Sequence, residues 1–321
     1  MRVIQMDRFG GPEVLHEVEV PDLAPGPGEV LVRTAVAGAT FVESQVRAGR
    51  WPWAGPGPAL PAVLGNGVEG EVLAVGDGAE NVVGQRVVTA TGGFGGYADH
   101  VVVPGSAPIT VPEDLAPGEA VAMLADGRTA LALNRAAGIT TSDTVLVTAA
   151  AGGVGSFLVQ LALSAGARRV IALAGGGEKL RICRELGADV TVDYTAAPWP
   201  GAVRSEVGAV DVVFDGVGGP VGAACLYLVR DGGRFCSYGA ASGTWTDAGA
   251  AADRGIAVSG KAMVRSPDDN RRLVELALRE CAERRLVPII GQRHPLARAC
   301  DAHAAIESRS TVGKTVLIVP P

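Results

Sequence analysis

The run Thr144-Val-Leu-Val-Thr-Ala-Ala-Ala-Gly-Gly-Val-Gly-Ser156 most constrains the fold, because it joins an apolar strand to a glycine turn and then to a helix. Glycines at such a junction allow a tight turn, let backbone N–H groups approach a pyrophosphate and let the helix pack closely on the strand. The helix N-terminus then faces the anion. Matched to G-x-G-x-x-G, the run reads Ala150-x-Gly152-x-x-Gly155, with alanine in place of the first glycine. An ordinary glycine turn is the alternative, and the continuation of the chain argues against it. An amphipathic helix (Phe157, Leu158, Leu161, Ala162) is followed by a strand at Arg169 to Ala174, a helix at Lys179 to Leu186 and a strand at Val190 to Tyr194. Such alternation implies right-handed crossovers and a parallel sheet.

The end of the second strand bears on which dinucleotide is bound. A site for NAD needs a carboxylate there to accept hydrogen bonds from the ribose hydroxyls. This chain has Ala174-Gly-Gly-Gly177, and Glu178 falls where the next helix begins. With no strand-end acid to repel a 2'-phosphate, and with Lys179 just beyond, the pattern favours NADP(H).

With 321 residues, 48% hydrophobic and 19% charged, the chain can bury a large core in two domains. A net charge of -6 without a basic block argues against nucleic acid or an anionic membrane as the main partner. No apolar segment is long enough to span a bilayer, and Met1-Arg-Val-Ile-Gln-Met-Asp7 lacks the apolar core of a signal peptide. A cytoplasmic protein acting on a small molecule is expected. Cys183, Cys225, Cys236, Cys281 and Cys300 are odd in number and scattered, so they read as reduced small hydrophobes.

Short strands at Val30 to Val36, Glu71 to Val75, Arg86 to Thr89 and His100 to Val103, separated by Gly and Pro, have the spacing of a small irregular barrel. The dinucleotide domain interrupts it, adding strands at Asp211 to Phe214, Gly233 to Tyr238 and Ile256 to Ser259. After a helix at Asn270 to Arg284, the strand Lys314 to Val319 is expected to pair back into the barrel. The expected domains are residues 1–122 with 264–321, and residues 123–263. The cleft between them is the default active site.

Ordered along the chain stand Phe9-Gly-Gly-Pro-Glu-Val-Leu15, Pro25-Gly-Pro-Gly-Glu-Val-Leu-Val32, Gly84-Gln-Arg-Val-Val88, Gly95-Gly-Tyr-Ala98, Ala149-Ala-Ala-Gly-Gly-Val-Gly155, Glu185-Leu-Gly-Ala-Asp189, Phe214-Asp-Gly-Val-Gly-Gly219 and Gly313-Lys-Thr-Val-Leu317. In this set the chain resembles the medium-chain dehydrogenase/reductase superfamily, specifically its zinc-free quinone oxidoreductase branch. The resemblance implies an α/β protein: a GroES-like β barrel plus a Rossmann doubly wound parallel sheet, with NADPH as hydride donor and a homodimer. It places Ala151, Gly152, Gly153, Val154 and Gly155 at the pyrophosphate. Lys179, Tyr194 and Arg309 match positions near the adenosine 2'-phosphate, Thr129, Tyr238 and Gly239 match positions near the nicotinamide half, and Val217 is a further cofactor-binding position. Tyr194 fits a strand-capping ring equally well, and Arg309 a helix-end cation. Tyr97 reads as barrel packing.

Zinc is not expected. The zinc-dependent branch has a cysteine near Gly38 and a Gly-His-Glu where this chain reads Gly65-Asn66-Gly67, and no cysteine precedes Cys183. His16, His100, His294 and His303 stand alone.

The segment Ala39 to Gly49 departs from the family pattern: Thr40 replaces its asparagine, Glu43 its aspartate and Gln45 its tyrosine. Glutamine can donate through its NH2 but supplies no proton. Hydride addition to a conjugated ketone creates an enolate that needs a donor and then a proton, whereas a hydroquinone anion needs little acid help. Thr40, Gln45 and Asn66 are the candidate polar pocket residues, with Trp51 and Trp53 as an aromatic wall. Thr40 and Asn66 serve equally well as residues that only hold loop geometry. The expected activity is NADPH-dependent reduction of a quinone or enone, and high Ala, Gly and Arg content suggests a bacterial secondary-metabolism setting. The alternative is an NADPH-binding protein with little reductase activity, or one adapted to dehydration or cyclisation.

Overall fold

The computed structural model describes residues 1–51, 57–260 and 266–320. The chain divides into two compact units, Met1–Ala125 with Val274–Pro321, and Asp126–Leu273. The first division falls within a π-helical turn, Met123–Gly127. The second boundary expected from the sequence, 263/264, lies outside the described residues.

In the first unit β1 (Arg2–Met6) pairs antiparallel with β2 (His16–Glu19) and with β4 (Ala62–Val63). A larger sheet is built on β3 (Glu29–Ala39). It runs β15 (Ile290–Pro295), β16 (Lys314–Ile318), β3, β5 (Gly67–Val75), β6 (Arg86–Ala90) and β8 (Ile109–Thr110), with β7 (His100–Pro104) also on β3. Along β3 the buried residues Val30, Val32, Thr34 and Val36 alternate with more accessible ones, the period of a sheet with one face on a core. The C-terminal strand returns here as expected, Thr315 lying opposite Ala39 and Ile318 opposite Val36. Ile4, Met6, Val32, Leu64, Val68, Tyr97 and Leu317 belong to one core. Among its helices are α1 (Phe41–Arg47), α2 (Glu119–Ala122) and α9 (Ala299–Glu307).

The second unit is a parallel sheet in the order β11 (Val190–Asp193), β10 (Arg169–Ala174), β9 (Thr144–Val147), β12 (Val210–Asp215), β13 (Val229–Ser237), β14 (Ala257–Ser259). All four residues of β9 are buried, as a strand covered on both faces requires. Its helices include α3 (Arg128–Ala137), α4 (Gly153–Ser164), α5 (Gly177–Glu185), α6 (Trp199–Val207) and α7 (Gly219–Leu228), and α8 (Pro267–Ala282) carries the chain back to the first unit. Phe157, Phe214 and Phe235 are almost wholly buried, each contributing about 1.5–3 kcal/mol of apolar transfer free energy. The strand order reverses between β9 and β12, and ligands of such sheets bind beyond the carboxyl ends of the strands at that switch point. Among the described residues no helix is long and apolar enough to cross a membrane.

Candidate functional site

In the parallel-sheet unit the turn after β9 is closed by backbone. Ala149 takes φ 47°, and its carbonyl accepts the Gly152 N–H at 2.9 Å. That left-handed alanine is a departure that the motif alone did not reveal. A Cβ at Gly155 would lie 2.3 Å from the Ala149 oxygen, and one at Gly153 would lie 2.4 Å from Asp126 Oδ2. At Gly155 the clash is with backbone, so that glycine is required by close approach, whereas a Cβ at Gly153 meets a side-chain end that can move. The first bond of α4 runs from Ser156 N–H to Gly152 O at 2.9 Å, so the N–H groups of Gly153, Val154 and Gly155 precede any helical acceptor. Ala151 is buried in the turn.

At the next crossover Ala174 lies in register with Asp193, and Gly176 takes φ 86°. The Asp193 carboxylate accepts Thr195 Oγ1 at 2.5 Å, Thr195 N–H at 2.8 Å and Gly176 N–H at 3.1 Å. These bonds, Thr195 first, hold its carboxyl below the usual range. Reading the second strand alone missed this acid, because the neighbouring strand supplies it. It binds the glycine loop's own backbone. Lys179, in the first turn of α5, and Tyr194, packed on the sheet core, are both partly buried at this crossover.

Beyond β12, Asp215 is fully buried and organises three expected cofactor positions. Its Oδ1 accepts Val217 N–H at 3.0 Å and Thr148 Oγ1 at 3.1 Å, and its Oδ2 accepts Thr246 Oγ1 at 2.6 Å. Its backbone carbonyl accepts the N–H of Tyr238 at 2.8 Å and of Gly239 at 3.3 Å. The Tyr238 hydroxyl donates to Thr148 O at 3.3 Å, and burial followed by the Asp215 charge pushes its phenol well up. Asp215 was legible only as part of the Phe214 to Gly219 motif. Thr129 is the second residue of α3.

In the barrel unit Thr40 caps α1, and its N–H donates to Glu43 Oε2 at 2.7 Å. The Thr40 hydroxyl donates to the same carboxylate, whose Oε1 accepts the Asn66 N–H at 3.3 Å. Glu43, 6% exposed, thus brings Thr40 and Asn66 together. The Thr40-x-x-Glu43 spacing is a capping box that the sequence displays openly. Asn66 leaves its side chain exposed, while Gln45 is partly buried with Nε2 3.4 Å from Ser44 Oγ. Trp51 stacks on Phe94 with centroids 6.0 Å apart, and Trp53 lies outside the described residues. Arg309 takes φ 58° and sets its guanidinium 4.2 Å from the centre of the Phe41 ring.

Tyr97 is fully buried against His303, and burial holds its phenol protonated. His16 sits 3.2 Å from Asp7 at the surface. Cys183, Cys225, Cys236 and Cys281 are buried, and burial pushes the Cys183 thiol up to about 11 and that of Cys281 up to about 12. Among the described residues no three His, Cys, Asp or Glu side chains gather to hold a metal ion.

Residues 26–113 match the alcohol dehydrogenase GroES-like domain family, and residues 153–279 match the zinc-binding dehydrogenase family. The chain is 34% identical to a quinone oxidoreductase of Pseudomonas aeruginosa over 98% of both chains. It is 30% identical to a 2-haloacrylate reductase of a Burkholderia species over 96% of both. The solved structure of Escherichia coli quinone oxidoreductase complexed with NADPH superposes with a TM-score of 0.89 at 26% identity, covering 99% of this chain and 100% of that one. With both domain families in order and whole-length kinship to quinone oxidoreductases, the chain belongs to the medium-chain dehydrogenase/reductase superfamily, in its zinc-free quinone oxidoreductase branch.

Proposed function

We propose that this protein is an NADPH-dependent reductase of conjugated carbonyl compounds, quinones or enones, acting by direct hydride transfer as a cytoplasmic homodimer. The glycine cradle after β9 carries the reading: Gly153, Val154 and Gly155 offer three N–H groups to a pyrophosphate, and a Cβ at Gly155 would close the turn. Lys179 and Tyr194 fit the adenosine 2'-phosphate, and Arg309, on the barrel unit, is a further cation of the type that holds such a phosphate. Thr129, Val217, Tyr238 and Gly239 fit the nicotinamide half. The NADPH-bound E. coli relative supports the cofactor choice. Bound there, NADPH supplies a hydride.

On the barrel unit Gln45 offers a hydrogen-bond donor to the substrate oxygen, beside Thr40, Asn66 and Trp51. Glu43 is occupied as an acceptor from Thr40 and Asn66, so it positions that wall. No phenol stands at Gln45, so the final proton is drawn from solvent or a cofactor hydroxyl. Quinones suit such a site, and the 2-haloacrylate reductase kinship adds acrylates to the candidates.

NADPH consumption by the purified protein, measured anaerobically with a quinone and a cyclic enone side by side and NADH as control donor, tests the reading. Turnover with NADPH is expected, and the better acceptor identifies the chemistry. Tight NADPH binding without consumption would instead favour a protein that has left hydride transfer behind.

A further inference from the structure

Arg128 opens α3 directly after the π-helical turn Met123–Gly127, between the buried Gly127 and the half-buried Thr129. Single π turns recur at functional sites. Arg128 is partly buried, yet its guanidinium forms no hydrogen bond or ion pair with any described residue. Other arginines drawn into the structure are used differently. Arg47 holds Glu307, Arg86 holds Glu69, and Arg234 holds Asp143. Burial lowers the Arg128 guanidinium below its ordinary pKa, opposed by the charge of Asp126, and the group still keeps its proton. A partly desolvated cation without a hydrogen-bonded partner is costly unless a ligand completes it.

The surroundings indicate which ligand. Asp126 packs against Gly153 at the start of α4, and its charge contributes to raising the Tyr238 phenol. Arg128 feels the same Asp126 charge and directly precedes Thr129, so it is carried by the segment that packs on the glycine turn and acts on Tyr238. The pyrophosphate already has the N–H groups of Gly153, Val154 and Gly155. A planar guanidinium matches a carboxylate in two parallel hydrogen bonds.

We propose that Arg128 is a specificity-determining residue that receives a carboxylate of the substrate, so that the preferred acceptors are conjugated carbonyl compounds bearing an acid group. This rests on the reductase reading given above.

The test compares 4-oxopent-2-enoate with its methyl ester, two enones that differ in the charge, with 1,4-benzoquinone as a neutral reference. Wild-type kcat/KM should favour the acid by roughly 10–100-fold, mostly through KM. Arg128→Leu should lose most of that preference, lowering ester turnover less than threefold, and Arg128→Lys should restore part of it. Calorimetric binding of the saturated acid 4-oxopentanoate to the NADP+-bound protein, weakened in Arg128→Leu, reads the same site without turnover.

Equal use of acid and ester overturns the proposal, while quinone turnover would leave the reductase reading standing. A tenfold rise in the NADPH Kd of Arg128→Leu with the acid preference intact would make Arg128 a pyrophosphate ligand, which also overturns it. Absence of NADPH consumption with every acceptor removes the reductase reading, and 4-oxopentanoate binding then decides the role of Arg128 alone.

Discussion

Tyr97 and His303 share a hydrogen bond of 3.0 Å inside the barrel unit, their rings edge to face with centroids 5.7 Å apart. Both are fully buried. Burial, aided by the Arg47 charge, pulls the His303 imidazole down to about 3. The folded protein therefore refuses a proton that the unfolded chain takes up near pH 6.5. Stability from this group is fully present above that pH and is lost as pH falls toward the folded value. Between pH 7.5 and 5.0 the loss should be about 2 kcal/mol, approaching about 1.4 kcal/mol per pH unit below pH 6.5. Urea unfolding of the wild type and His303→Asn, each at pH 7.5 and 5.0, measures it. Identical pH dependence in the two proteins would show that His303 does not carry the effect.

Two glycines separate close packing from simple chain entropy. A Cβ at Gly155 meets the Ala149 oxygen at 2.3 Å, whereas one at Gly201, exposed in α6, meets nothing within 4 Å. Gly155→Ala should destabilise by roughly 1–3 kcal/mol and weaken NADPH binding, because the turn must open. Gly201→Ala should stabilise by about 0.5–1 kcal/mol and leave cofactor affinity alone. Thermal unfolding with and without NADPH checks both, and a tolerated alanine at Gly155 would contradict the cradle geometry.

Asp215 provides a third measurement. Asp215→Ala would strip the acceptor from two hydroxyls and from the N–H groups of Val217 and Gly218 in the interior. At about 1–3 kcal/mol for each unsatisfied buried group, a loss of roughly 3 kcal/mol or more is expected. Asp215→Asn keeps one acceptor oxygen and should lose about half as much. NADPH affinity should fall with it, since the backbone of Val217 and Gly218 is set by this carboxylate, while Tyr238 and Gly239 keep their bonds to the residue's main-chain carbonyl. An effect within about 0.5 kcal/mol would place Asp215 among ordinary surface positions and refute the hub.

The parallel sheet was legible because strand and helix periods alternate over a long stretch; Arg169 to Ala174 matches β10 to the residue. The barrel was harder to read. β1, a strand that pairs with β2 and β4 in a separate sheet, escaped notice because its Arg2-Val-Ile-Gln-Met6 mixes polar and apolar residues near a terminus. Site residues followed a similar division. Positions tied to backbone geometry, such as Gly152 to Gly155, were visible. Asp193 and Glu43 act through partners brought close by register and capping, and spacing within one strand cannot show that. Thr40 illustrates the difference: of its two readings, pocket residue or holder of loop geometry, the bond of its hydroxyl to Glu43 serves the second.

Cofactor choice can be measured at Lys179 without turnover. Ala174, the end of β10, carries no acid, and the neighbouring Asp193 is bound to Gly176 and Thr195. A 2'-phosphate arriving here is expected to meet Lys179 in the first turn of α5, a charge-assisted contact worth about 1.5–3 kcal/mol. Lys179→Ala should therefore raise the Kd of NADPH by roughly 10–100-fold while changing that of NADH less than about threefold. The NADPH preference should also shrink with added salt, because part of it is screened Coulomb attraction. Fluorescence titration of both cofactors at low and high ionic strength measures each effect. A parallel loss of both cofactors would mean that Lys179 supports the loop rather than the phosphate, and the preference would then have to come from Tyr194 or Arg309.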